Sequence, residues 1–170
     1  GVILGKAASI YDGLFATLTH SYGPEARGGL CSAQIIISDS RIAYPYTISP
    51  DAMVFMSQES WERFSQERRP DTIIISESEI VGLPEPLRDE AWSIPALRIA
   101  EELGSSIVLN MVMLGFITAV TKVLSVDAML KAISQTVPPG TEPMNILAFN
   151  RGHDFGKALI SERELIAGSS

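Results

Sequence analysis

Two short, uninterrupted apolar runs, Ala52–Ser57 (AMVFMS) and Asp71–Glu77 (DTIIISE), bracket a stretch of opposite character, Gln58–Pro70 (QESWERFSQERRP). Runs this short and this uniformly apolar fit strands covered on both faces, where no polar alternation is needed. In the stretch between them Trp61 and Phe64 are three apart and Glu59 and Arg63 four apart. Ser57 stands where an N-cap hydroxyl is wanted, and Pro70 stops the run, so the segment predicts an amphipathic helix. Strand, helix and strand in such quick succession predict a right-handed parallel crossover.

The same reading extends in both directions. Leu14–His20 (LFATLTH) and Leu30–Ser38 (LCSAQIIIS) read as strands, the second on its Ala33/Ile35/Ile37 alternation. Gly1–Tyr11 reads as a helix that ends at the Asp12-Gly13 turn. Parallel α/β domains usually open with a strand, so a strand and turn are expected ahead of that helix. Downstream, Trp92–Gly104 (WSIPALRIAEELG) predicts a strand end, a proline turn and a helix closed by Gly104. On the next helix, Ile107–Val123, Asn110, Leu114, Thr118 and Thr121 share one face. Ser125 caps the helix after it, with Asp127 in the first turn where the helix dipole favours an acid. In the last helix, Met144–Ile160, Ala148, Gly152 and Gly156 recur every four residues and leave a bare stripe for close approach. The pattern predicts one α/β domain over residues 1–170, with a mainly parallel central sheet and helices on both faces.

Composition narrows the function. With 170 residues, 46% of them hydrophobic and only 19% charged, the chain can bury a real core and present surface to other chains. A net charge of −7 argues against nucleic acid as a ligand. The single cysteine, Cys31, excludes an internal disulfide, and an iron–sulfur cluster or thiolate zinc site built by this chain alone. The longest apolar run, Ile107–Val120, is shorter than the ~20 residues of a membrane span and contains Asn110, so it predicts a buried helix in a cytoplasmic domain.

The usual catalytic signatures are missing: GxGxxG, Walker A, HExxH, GxSxG, and the GDG run through which thiamine enzymes bind metal and diphosphate. His20 and Cys31 flank one loop and could form a nucleophile and base, but a strand-end histidine and a small buried thiol are the plainer reading. His153 reads as a surface or interface residue. Asn110, if buried, needs a partner, either in bracing a helix or in touching a ligand. The loop Ser21–Gly29 (SYGPEARGG) stands apart. Pro24 fixes one backbone angle and Gly23, Gly28 and Gly29 permit unusual ones. Tyr22 and Arg27 add an aromatic face and a planar cation, with Glu25 two residues before Arg27, an arrangement suited equally to a ligand and to a partner subunit.

Thr19–Ser38 (THSYGPEARGGLCSAQIIIS) resembles the signature region of the gamma subunit or domain of 2-oxoacid:ferredoxin oxidoreductases. The similarity continues in order through IPALRIAEELG, NMVMLG, LSVDAMLKAI and NILAFNRG. The family pattern begins with a strand and a GxGGQG turn, of which only the opening GV could be a remnant. The resemblance implies a Rossmann-like three-layer fold and a multi-subunit enzyme that oxidatively decarboxylates a 2-oxoacid, forms an acyl-coenzyme A and reduces ferredoxin. It implies that thiamine diphosphate, magnesium and iron–sulfur clusters belong to alpha, beta and ferredoxin-like delta partners, that coenzyme A is a co-substrate, and that this chain alone is inactive. It turns Tyr22–Gly29 into a partner- or coenzyme-facing loop, with Asn110 and Asn145 supporting it. A free Rossmann-like module binding a nucleotide or coenzyme A is the alternative.

Overall fold

The computed structural model describes residues 1–22 and 31–168. The chain opens with α1 (Val2–Lys6), continued by a wider π turn over Ala7–Tyr11. There the Asp12 N–H reaches back to the Ala7 carbonyl at 3.0 Å, and Gly13 turns the chain at φ +68°. A hairpin follows, β1 (Phe15–Tyr22) antiparallel to β2 (Cys31–Ser38), with Phe15 opposite Ser38 and Tyr22 opposite Cys31. This hairpin is a sheet of its own and does not join the parallel one.

The predicted crossover is present as β3 (Ala52–Phe55), α2 (Gln58–Phe64) and β4 (Ile73–Glu77). Ser57 caps α2, its hydroxyl accepting from the Ser60 N–H at 3.2 Å. After α3 (Leu87–Glu90), β5 (Trp92–Ile94) completes a parallel sheet in the order β3-β4-β5. The side chains of β4 show why its sequence lacks alternation. Ile74 packs with Phe55 and Trp61 on the α2 side, while Ile73 and Ile75 pack on the opposite side. Phe55 and Trp61 meet edge to face at 5.0 Å. Helix, sheet and helices make the three layers expected.

The larger core lies on the second face, under α4 (Ala96–Glu102), α5 (Leu109–Thr121), α6 (Val126–Ser134) and α7 (Glu142–Ala167). Gly104, at φ +87°, closes the end of α4 as predicted. α5 and α7 run parallel, with α6 returning between them in the chain. A Cβ at Gly152 would overlap the Val112 carbonyl oxygen, and one at Gly115 would overlap that of Phe149. A Cβ at Gly156 would lie 2.7 Å from that of Ala119. The bare stripe therefore seats α5, backbone against backbone. α7 continues seven residues past Ile160, where the sequence pattern ends.

Two long-range ties fasten α1 to α6. The Lys6 ammonium donates to the Thr136 hydroxyl at 3.1 Å. Asp12 accepts from both the backbone N–H and the hydroxyl of Ser125, each at 2.7 Å. The same Ser125 hydroxyl accepts from the Ala128 N–H at 3.1 Å as the cap of α6.

Candidate functional site

Open α/β sheets hold ligands outside the carboxyl ends of their strands. Here those ends are taken up by the protein's own groups. Glu77 closes β4 and is fully buried. Its carboxylate accepts from the N–H groups of Glu79 (2.8 Å), Ile80 (2.6 Å) and Leu97 (3.2 Å). An acid thus occupies two donors in the turn after β4 and one, the Leu97 N–H, at the start of α4. Pro95, between β5 and α4, supplies no N–H. After β3, Ser57 serves α2 in the same way. The Ser76 and Ser93 hydroxyls of neighbouring strands satisfy each other at 2.8 Å. The donors at this crevice are thus satisfied within the fold.

The hairpin is the other candidate. Ala16, Leu18, Ile35 and Ile37 share the face that packs towards α1, by strand alternation and register. Phe15, Thr17, Thr19, Gln34, Ile36 and Ser38 share the other, and it is uncharged. Tyr22 ends β1 directly opposite Cys31. Gly23, Pro24, Glu25, Arg27, Gly28 and Gly29 lie outside the described residues. Asn110 is exposed on the first turn of α5, so it is not the buried amide that would demand a partner. Asn145 donates to the Thr141 carbonyl at 2.8 Å and braces the start of α7. Because α5 and α7 are parallel, these two asparagines sit at the same end of the helical layer.

The remaining candidates are His20, Cys31 and His153. The register sets His20 opposite Ala33, one diagonal step from Cys31. His153 is on α7, stacked on Phe149 with ring centroids 6.2 Å apart and its Nδ1 3.9 Å from the Asp154 carboxylate. Among the described residues no group of three or more His, Cys, Asp or Glu is placed to hold a metal ion. No helix among the described residues is long and apolar enough to cross a membrane.

Two residues that shape these surfaces escape sequence reading. Glu77 looks like an ordinary polar strand end, and only its three backbone partners reveal its role. Arg163 lies beyond the apolar period of the last helix. Its guanidinium donates to the carbonyls of Asp89 (3.2 Å), Glu90 (3.1 Å) and Ala91 (2.6 Å) and lies 4.1 Å from the centre of the Trp92 ring. A planar cation four residues before a helix end was the available signal, but its target is over 70 residues away.

Fold and crevice together define a Rossmann-like α/β domain whose strand ends are occupied by its own polar groups. The family model for pyruvate ferredoxin/flavodoxin oxidoreductase matches residues 1–155, and the chain belongs to that family. It is 46% identical over 164 residues to the 2-oxoglutarate synthase subunit KorC of Methanothermobacter marburgensis, covering 91% of this chain and 87% of that protein. It is 41% identical over 163 residues to the subunit of the same name from Methanocaldococcus jannaschii, covering 94% and 87%. A solved gamma subunit of a keto/oxoacid ferredoxin oxidoreductase from Geobacter sulfurreducens superposes with a TM-score of 0.77 at 34% identity, covering 93% of this chain and 89% of that one. The chain is thus the gamma-type subunit of a 2-oxoacid:ferredoxin oxidoreductase, an enzyme that works as an assembly.

Proposed function

We propose that the assembly served by this chain acts on 2-oxoglutarate in the cytoplasm. The observation that carries this reading is the near full-length likeness to the two KorC subunits, at 46% and 41% identity. In this reading residues 1–170 act as one gamma domain beside alpha, beta and ferredoxin-like delta subunits. The partners hold thiamine diphosphate, magnesium and the iron–sulfur clusters, and coenzyme A accepts the acyl group. Thiamine diphosphate supplies the carbanion chemistry of decarboxylation when bound in its own subunit. This chain contributes shape and contact, and Tyr22–Gly29 faces the partner or the coenzyme, with Asn110 and Asn145 supporting the same end.

Co-expression with the companion subunits tests it directly. The full assembly is expected to reduce ferredoxin with 2-oxoglutarate and coenzyme A, and to lose that activity when this chain is omitted. Equal turnover without the chain removes the subunit role. Pyruvate or a branched-chain 2-oxoacid oxidised faster than 2-oxoglutarate removes the substrate assignment alone. Arg27→Ala is expected to weaken subunit affinity or to raise the KM for coenzyme A at least tenfold, and an assembled variant with wild-type values removes the loop's role. Calorimetry of the isolated chain with coenzyme A, NAD and FAD addresses the free-module alternative. The self-capped crevice at Glu77 favours silence there.

A further inference from the structure

The segment between β2 and β3 carries large apolar side chains that the fold leaves outside. Tyr44 is 59% exposed, Tyr46 57% and Ile48 86%. Together they expose on the order of 400 Å² of mostly apolar surface, the size at which a patch on a monomer is usually functional. The segment is held in place. Tyr44 and Tyr46 have ring centroids 5.5 Å apart with Pro45 between them. The Thr47 N–H donates to the Gln34 side chain on β2 at 3.4 Å, and the Pro50 carbonyl accepts from the Thr72 hydroxyl at 2.9 Å. Through Gln34 the patch meets the uncharged face of the hairpin, where Phe15 is 42% exposed.

Charge is scarce along this stretch of chain, and the ion-paired cluster of Asp51, Arg69 and Asp71 borders it where Pro50 meets Thr72. Of the chain's 13 basic and 20 acidic side chains, only Glu25, Arg27, Asp39 and Arg41 fall between residues 13 and 50, and Ile42–Pro50 carries none. Tyrosine-rich, charge-depleted surface is the composition of an interface core, and a preset segment loses little entropy when covered. We infer that Tyr44, Tyr46 and Ile48, continuous with the outer face of the β1–β2 hairpin, are the dry centre of the contact with a different subunit of the same assembly, whose facing surface is apolar and uncharged. A second copy of this chain is the poorer occupant, because two molecules of net charge −7 repel each other while a partner need not. The patch supplies about half of one partner's ~800 Å² share of a standard interface, and it adjoins the hairpin face.

The inference rests on the subunit role proposed above, and one experiment separates them. The wild-type chain and the double variant Tyr44→Glu/Ile48→Glu are each co-expressed with the companion subunits, and the affinity of the reassembled complex is measured. Thermal unfolding of both isolated chains is followed by circular dichroism. The expected result is an unchanged melting curve with at least a tenfold loss of affinity for the companions. Wild-type affinity in the double variant overturns this inference and leaves the subunit role standing. A wild-type chain that binds no companion overturns both. If sedimentation shows the isolated wild-type chain as a dimer that the variant dissociates, the occupant is a second copy and the inference is wrong. Should the double variant unfold, Tyr46→Ser, which removes one ring without adding charge, carries the same test with a smaller expected loss.

Discussion

The helical layer and the hairpin side of this domain are made by opposite means. α5 and α7 bring three glycines to their seam so that backbones touch, and the residues around it, Val112, Phe116, Ala148 and Phe149 among them, have almost no exposure. Between β1 and β3 the chain presents tyrosines, isoleucine and uncharged polar groups outward. The first arrangement is complete in itself, and any added atom harms it. The second leaves its large apolar side chains Tyr44, Tyr46 and Ile48 outside the core.

The comparison can be broken most severely at the helix seam. Gly152→Val places branched carbon atoms where the Val112 carbonyl stands, so the helices must separate, and a loss of about 4 kcal/mol in denaturant unfolding is expected. A loss under ~1 kcal/mol would mean that the seam yields easily and that the contrast is overdrawn. Glu77→Ala strips the acceptor from three backbone N–H groups beside a fully buried site, for a cost of about 3 kcal/mol by the same measurement. Glu77→Gln, which keeps one carbonyl acceptor, should cost less. Arg163→Ala removes three donor contacts and the stack on Trp92 at a partly exposed position, and about 1.5 kcal/mol is expected. At the far end of the scale, Ile48→Asp should change the unfolding free energy of the isolated chain by less than ~0.5 kcal/mol. A larger change there would show that the displayed segment belongs to the core after all.

The elements that sequence reading recovered are those whose cause is local. Ser57 and Ser125 cap their helices through N–H groups three residues on, Gly104 ends α4 at its own positive φ, and the βαβ unit spans one crossover. The Ala148/Gly152/Gly156 stripe was legible as well, because a four-residue repeat of small side chains has a direct steric meaning. What stayed hidden depends on distance in the chain. Glu77 reaches Leu97, Asp12 reaches Ser125, and Arg163 reaches back to Ala91, and none of these pairs leaves a spacing to count. The separation of the hairpin from the parallel sheet is of the same kind. Strand character was visible in Phe15–Tyr22 and Cys31–Ser38, but the choice of neighbour is made by packing against α1. For the site, sequence reading singles out Tyr22–Gly29 by its odd composition, and all of that loop but Tyr22 lies outside the described residues. It passed over Tyr44, Tyr46 and Ile48, whose exposure is known only once the core is placed.

The ties from α1 to α6 also set a timetable for synthesis. Asp12 waits for Ser125, 113 residues later, and Lys6 for Thr136, 130 residues later. Ala7 and Ala8, fully buried in the finished domain, therefore emerge from the ribosome long before the helix that will cover them. Contacts this distant in the chain are slow to form, so the packing of α1 against α6 belongs to the late, non-local part of folding.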